Sequence, residues 1–127
     1  MNAGDTLIES AIRALKNSHS RHSKFKVGAA LLSSSGKIYI GTNVEFDAFS
    51  LTMCAERAAL FSAVSNGENK FTRIAIVTNS KKFKFPCGLC RQALIEFNPD
   101  LEIILLNSNK KSKKIILREL LPEFFKL

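Results

Sequence analysis

The chain has 127 residues, 46% of them hydrophobic, and a formal net charge of +8; that length and apolar content suit one domain spanning 1–127 with a core of its own, so a metal is not needed merely to hold a miniature fold. No apolar run approaches the roughly 18 residues of a membrane span, and the opening Met1-Asn2-Ala3-Gly4-Asp5 lacks the basic flank and apolar stretch of a signal peptide. Three cysteines, two of them close together as Cys87 and Cys90, argue for metal ligation in a reducing cytoplasm rather than a disulfide framework.

Taken in order, Asp5 to about Asn17 reads as an amphipathic helix, with Leu7, Ile8, Ala11, Ile12, Ala14 and Leu15 at helical spacing. Val27 to Leu32 is a continuous apolar run, expected as a strand buried on both faces. Ser33 to Gly36 turns the chain into a second strand, Lys37 to Ile40, to make a hairpin. The segment Gly41-Thr42-Asn43-Val44-Glu45 then leaves the sheet. Asn43 and Glu45 are one residue apart, so in extended chain they point to the same side. They offer an amide and a carboxylate to vicinal hydroxyls, or simply face solvent. A helix beginning at Cys54 and ending at Asn66-Gly67 carries small residues for close packing. Arg73 to Thr78 reads as a third strand, Leu89 to Phe97 as a helix stopped by Asn98-Pro99, Glu102 to Leu106 as a fourth strand and Lys114 to Leu117 as a fifth. The short polar stretch between the last two leaves no room for a helix, so they should be antiparallel neighbours. Arg118 to Leu127 reads as a short helix interrupted at Pro122.

Chemistry concentrates in Cys54-Ala55-Glu56 and Pro86-Cys87-Gly88-Leu89-Cys90. Three thiolates suit zinc in a catalytic site, where three protein ligands leave a fourth position open. A cysteine at a helix N-terminus has its pKa lowered toward the thiolate form. Glu56 is poorly placed to bind the same ion and well placed to move protons on what the ion binds. Zinc with three thiolates is net anionic, so nearby cations should help; Arg57 and Arg91 are candidates to donate to the sulfurs, or else are surface arginines. His19 or His22 would complete a four-ligand structural site, but their spacing does not favour it. The lysine runs at 81–84 and 110–114 read as solvated loops rather than a nucleic-acid patch.

Cys-x-Glu followed by Pro-Cys-x-x-Cys resembles the zinc nucleoside deaminases, and its cysteine-first form resembles the small three-cysteine cytidine deaminases. The similarity runs from Ser23-Lys24-Phe25 through Glu119-Leu120-Leu121-Pro122. It implies a three-layer α/β/α fold on a five-stranded mixed sheet. It further implies hydrolytic deamination of cytidine and deoxycytidine in pyrimidine salvage, with Zn2+ on Cys54, Cys87 and Cys90 and with Glu56 shuttling protons. Phe25 would lie against the pyrimidine, while Asn43, Val44, Glu45 and Ala55 would contact the nucleoside. Phe125 would reach into a neighbouring subunit's site in a homotetramer. A free nucleoside is then the expected partner and nucleic acid is not, because a helical crossover before the fifth strand belongs to the polynucleotide-editing relatives. The chain departs from the family pattern at His22, Lys26, Phe46, Asp47 and Phe49, all around the expected sugar pocket. A deaminase of a cytosine-bearing antibiotic and a noncatalytic zinc module remain as alternatives; the second leaves Glu56 without a role.

Overall fold

The computed structural model describes residues 3–127. Five strands form one mixed sheet: β1 (Val27–Ser33), β2 (Ile38–Thr42), β3 (Phe71–Thr78), β4 (Glu102–Leu106) and β5 (Ser112–Ile116), in the order β2-β1-β3-β4-β5. Only β3 and β4 are parallel; β1 pairs antiparallel with β2 and β3, and β4 with β5. The helix α1 (Ala3–Leu15) covers one face, while α2 (Ala55–Ser65) and α3 (Gly88–Ile95) cover the other, and a single turn, α4 (Leu117–Leu120), follows β5. This is the expected three-layer α/β/α arrangement.

The two faces follow from strand alternation. In β3, Ile74 and Ile76 join the core beneath α2 and α3, while Ala75 and Val77 join the one beneath α1. Two glycines let the helices close on the sheet. A Cβ on Gly28 would lie 2.1 Å from Ala11 O of α1, and one on Gly41 would lie 2.4 Å from both Ala55 O and Ala59 N of α2. Gly41 therefore seats the first turn of α2 directly on β2, and that turn carries the cysteine and glutamate.

Element boundaries move modestly from expectation. The strand β2 runs on to Thr42, because Thr42 still pairs with Gly28. The helix α2 starts at Ala55 with Cys54 as its N-cap, and α3 starts at Gly88 with Cys87 as its N-cap. The strand β5 lies two residues earlier at its start than expected. Asn107 Oδ1 accepts from the amides of Asn109 and Lys111, which closes the hairpin loop and starts pairing at Ser112. Leu117 then leaves the strand to begin α4, its amide donating to Leu101 O at 3.0 Å. Only Leu117–Leu120 of the C-terminal segment is helical, so the longer interrupted helix expected there is corrected. Among the described residues no helix is long and apolar enough to cross a membrane.

Candidate active site

The N-termini of α2 and α3 meet at one point beneath the C-terminal end of β3. Cys54 and Cys87 occupy the N-cap positions, and neither side chain caps its own helix, so both sulfurs are left for another partner. Cys90, one turn into α3, is buried. The three Sγ atoms lie within 4.8 Å of one another, with Cys54 and Cys87 at 3.7 Å. Zinc–sulfur bonds of about 2.3 Å at the tetrahedral angle give a sulfur–sulfur separation of about 3.8 Å. Soft donors at that spacing, facing two helix N-termini, fit zinc in both chemistry and size. Among the described residues this trio is the metal-type cluster. Neither histidine joins it. His22 Nε2 instead pairs with Asp47 at 3.1 Å, and its ring meets Phe49 edge-on at 5.5 Å.

The sulfurs share protons unequally. Hydrogen bonding from Cys90 draws the Cys54 thiol down to about 5, against burial and with help from Arg57 and Cys87. The same bond, together with burial and the nearby Glu56, pushes Cys90 up. Arg57 donates from Nε to Cys90 Sγ and from Nη2 to Cys54 Sγ, both at 3.4 Å. Burial works against the Arg57 charge, yet the bonds to the two sulfurs outweigh it and hold the guanidinium protonated. Arg91 does not donate to sulfur. Its Nε donates to Pro86 O at 2.7 Å and its Nη1 to Leu120 O at 2.9 Å, so it ties the turn before Cys87 to α4. The expectation for Arg91 is corrected: the carbonyls of Pro86 and Leu120 take its N–H groups instead.

Glu56, 5% exposed, lies in the first turn of α2 beside the sulfurs. Burial raises its carboxyl to about 7, with the Cys54 thiolate adding to the rise while its own backbone amide and Arg57 oppose it. It is thus poised to hold or release a proton near neutrality. Glu56, Cys54, Cys87 and Ala55 line a cavity of about 350 Å³, whose other walls include Phe25, Asn43 and Glu45. That volume suits a small ligand.

The far end of the cavity is a preformed polar clamp. Asn43 Oδ1 accepts from Val27 N at 3.0 Å and from the Ser18 hydroxyl, and Asn43 Nδ2 donates to Phe25 O at 2.7 Å. An amide offers two donors and two lone pairs, so one N–H of Asn43 remains. Glu45 Oε1 accepts from the amides of His22 and Ser23 at 3.0 and 2.9 Å, and Oε2 accepts from the Ser23 hydroxyl. These bonds, the Ser23 hydroxyl first, hold its carboxyl below the usual range. About one lone pair of Oε2 remains. A donor from Asn43 beside an acceptor on Glu45 is what one hydroxyl requires.

Ser23, which completes this clamp, was missed in the sequence; a lone serine before Lys24-Phe25 carries no signal. Val44 does not line the cavity. Its backbone bridges to Met53 in both directions at 3.0 Å, joining the clamp to the approach to Cys54. The departures at His22, Asp47 and Phe49 form one contacting unit, and His22 and Phe49 share a side cavity of about 290 Å³ with Ser23, Glu45 and Thr52. Phe125 is 66% exposed and lies away from the cavity, against Glu96 and Pro99.

A family model described as the cytidine and deoxycytidylate deaminase zinc-binding region matches residues 1–106. The chain belongs to this family. It is 40% identical over 122 residues to a cytidine deaminase of Sporosarcina psychrophila, covering 95% of this chain and 90% of that one. A crystal structure of cytidine deaminase from Burkholderia pseudomallei superimposes with a TM-score of 0.93 at 41% identity, covering 98% of this chain and all (100%) of that one. A blasticidin-S deaminase of Bacillus cereus is 35% identical over 107 residues, 78% of this chain and 76% of that one. In this member of a zinc-binding family, Cys54, Cys87 and Cys90 are the residues placed close enough together to hold a metal ion.

Proposed function

We propose that this chain hydrolyses cytidine and deoxycytidine to uridine and deoxyuridine with release of ammonia, in pyrimidine salvage. The observation that carries the reading is one cavity whose walls hold Glu56 and two sulfurs of the three-cysteine cluster, Cys54 and Cys87, together with a single-hydroxyl clamp of Asn43 and Glu45. Phe25 also lines this cavity and is the residue proposed to lie against the planar base.

Zinc held by Cys54, Cys87 and Cys90 supplies the Lewis acidity that makes water nucleophilic at neutral pH. The chain's own residues do the rest. Glu56 takes the proton lost by the water as oxygen bonds to the amine-bearing carbon, and passes it to the adjacent ring nitrogen. It then takes the proton of the new hydroxyl and delivers it to the amine, so that the carbon–nitrogen bond breaks and ammonia leaves. One buried carboxyl near neutrality serves both transfers, because neither protonated nor ionised form is strongly favoured. Arg57 offsets the negative charge of the sulfurs.

Glu56→Gln, which keeps shape and removes the titratable oxygen, should retain zinc and lose turnover on the order of 10²–10⁴-fold. The assay follows ultraviolet absorbance of cytidine and deoxycytidine alongside zinc content. Retention of a tenth of the wild-type rate would overturn the assignment of Glu56.

A homotetramer fits the exposed apolar groups Phe49, Leu51, Leu89 and Phe125, which a lone subunit leaves in water. In that assembly Phe125 enters a neighbour's site. Free thiols on all three cysteines favour a reducing compartment such as the cytoplasm.

A further inference from the structure

Phe25 lies outside the helices and strands, just before β1, yet both peptide groups that flank it are fixed at each end. Before the residue, Lys24 O accepts from Asn79 Nδ2 at 2.9 Å and Phe25 N donates to Ser23 Oγ at 3.0 Å. After it, Lys26 N donates to Asn79 Oδ1 at 3.0 Å and Phe25 O accepts from Asn43 Nδ2 at 2.7 Å. Each peptide plane is thus gripped once from the hydroxyl clamp and once by Asn79. The backbone amide of Asn79 adds a bond to Lys26 O at 3.2 Å, continuing the pairing of Val27 with Thr78 one residue past the end of β3. A side-chain amide suits this role, since its carbonyl accepts and its NH2 donates, and one residue can hold both planes. Asn79 itself does not line the cavity.

Planar peptides leave φ and ψ as the soft rotations at a residue. The orientation of the two planes therefore sets where the Cβ of Phe25 points, and with it the ring that lines the cavity. The chain does not hold this shape by preference. Lys24 has φ +60°, in the left-handed region that a residue with a Cβ seldom adopts, and such a backbone persists where its surroundings over-determine it. Ser23 and Asn43 hold the segment from the cavity side. Asn79 holds it from the exposed side, where water would replace the lost bonds. Loss of the Asn79 amide thus costs shape more than stability: solvent takes up the freed peptide groups, Lys24 relaxes and Phe25 turns from its place. We propose that Asn79 is a positioning residue of the substrate site, acting through the backbone of Phe25 to hold its ring against the base. The proposal rests on the reading that Phe25 meets the base of a nucleoside in this cavity.

The test measures kcat and KM for cytidine on the zinc-loaded protein, in wild type, Asn79→Ala, Phe25→Leu and the double variant, with Asn98→Ala as control. Asn98 Nδ2 donates to Phe71 O at 2.8 Å, a bond of the same kind at the other end of β3. Contact between a base and an aromatic ring is worth a factor of about five or more in affinity. Phe25→Leu and Asn79→Ala should therefore each raise KM about fivefold or more, with kcat held within about twofold and zinc content unchanged. Asn98→Ala should leave KM alone. In the Phe25→Leu background, Asn79→Ala should raise KM by no more than about twofold, because the ring it positions is gone. Should Asn79→Ala fail to fold, Asn79→Asp carries the same test: it keeps the shape and the acceptor for Lys26 N, loses the donor to Lys24 O, and should raise KM. A KM unchanged in the folded Asn79 variants, matched by Asn98→Ala, or raised equally with and without Phe25, overturns the proposal and leaves the deaminase reading intact. An unchanged KM in Phe25→Leu overturns the placement of Phe25 against the base, and the proposal with it. No conversion of cytidine by wild type overturns the deaminase reading itself.

Discussion

Arg57 shows how one side chain sets the character of the sulfur cluster. Its two N–H···S contacts at 3.4 Å reach Cys54 and Cys90 across α2 and α3, and its charge draws the Cys54 thiol toward the thiolate form. Removing both contacts leaves the anionic sulfurs without their cation. Arg57→Met should weaken zinc binding about 10–100-fold, as measured by competition with a chromophoric chelator. Because Arg serves two sulfurs from a planar fork, Lys restores at most part of the loss. Unchanged affinity in Arg57→Met would mean that the helix N-termini alone compensate the thiolates. Asn43 and Glu45 make the related point about valence. Most of their hydrogen-bonding capacity is spent on the chain itself, which is why so little is left, and so specifically placed, for a ligand.

At the level of elements, the site depends on how closely α2 approaches β2. A Cβ at Gly41 would sit 2.4 Å from two backbone atoms of α2, and backbone cannot step aside as a flexible side chain does. Gly41→Ala should therefore destabilise the fold by about 1–3 kcal/mol or more and displace Cys54 and Glu56 with the helix. Gly88, at the first position of α3, has nothing within 4 Å of its would-be Cβ; Gly88→Ala should be neutral or slightly stabilising, since alanine is the better helix former. Urea unfolding of the two variants checks both, and equal midpoints would refute the close-packing argument. The elements themselves were legible from periodicity and turn residues. Their ends were less so, because β2 stops where pairing with Gly28 stops and β5 starts where Asn107 releases the loop. Both depend on partners elsewhere in the chain.

For the molecule as a whole, the exposed Phe125 and the apolar patch at Phe49 and Leu51 are the surfaces that the proposed assembly would cover. Phe124 is partly buried against the core, whereas Phe125 projects outward. Deleting residues 123–127 should raise the KM for cytidine while zinc content stays at the full-length level, with analytical ultracentrifugation reporting the assembly. Unchanged kinetics in a variant of unchanged oligomeric state would refute a role for Phe125 in a neighbour's site. Charge also belongs to this scale. The +8 balance is unevenly spread, because the fold joins two lysine-bearing loops through Ser108 N to Ser80 O and Asn107 Nδ2 to Lys81 O.

The sequence by itself presented the two halves of the candidate centre, Cys54 with Glu56 and Cys87 with Cys90, each at the start of a helical pattern and each spaced by one helical turn or less, which local structure sets; bringing Cys54 to Cys87, 33 residues on, took the fold. The sequence also determined the sheet, because alternation and apolar runs are read along the strand. What the tertiary structure decided lies in contacts between distant residues. Ser23 completes Glu45 from 22 residues away, Arg91 spends its N–H groups on Pro86 and on Leu120, 29 residues on, and Asn79 braces the Phe25 segment from 55 residues beyond Lys24. No periodicity encodes such pairings; they arise only when packing of the sheet and helices brings the groups within hydrogen-bond reach, where a polar group takes whichever partner spares it from burial unsatisfied.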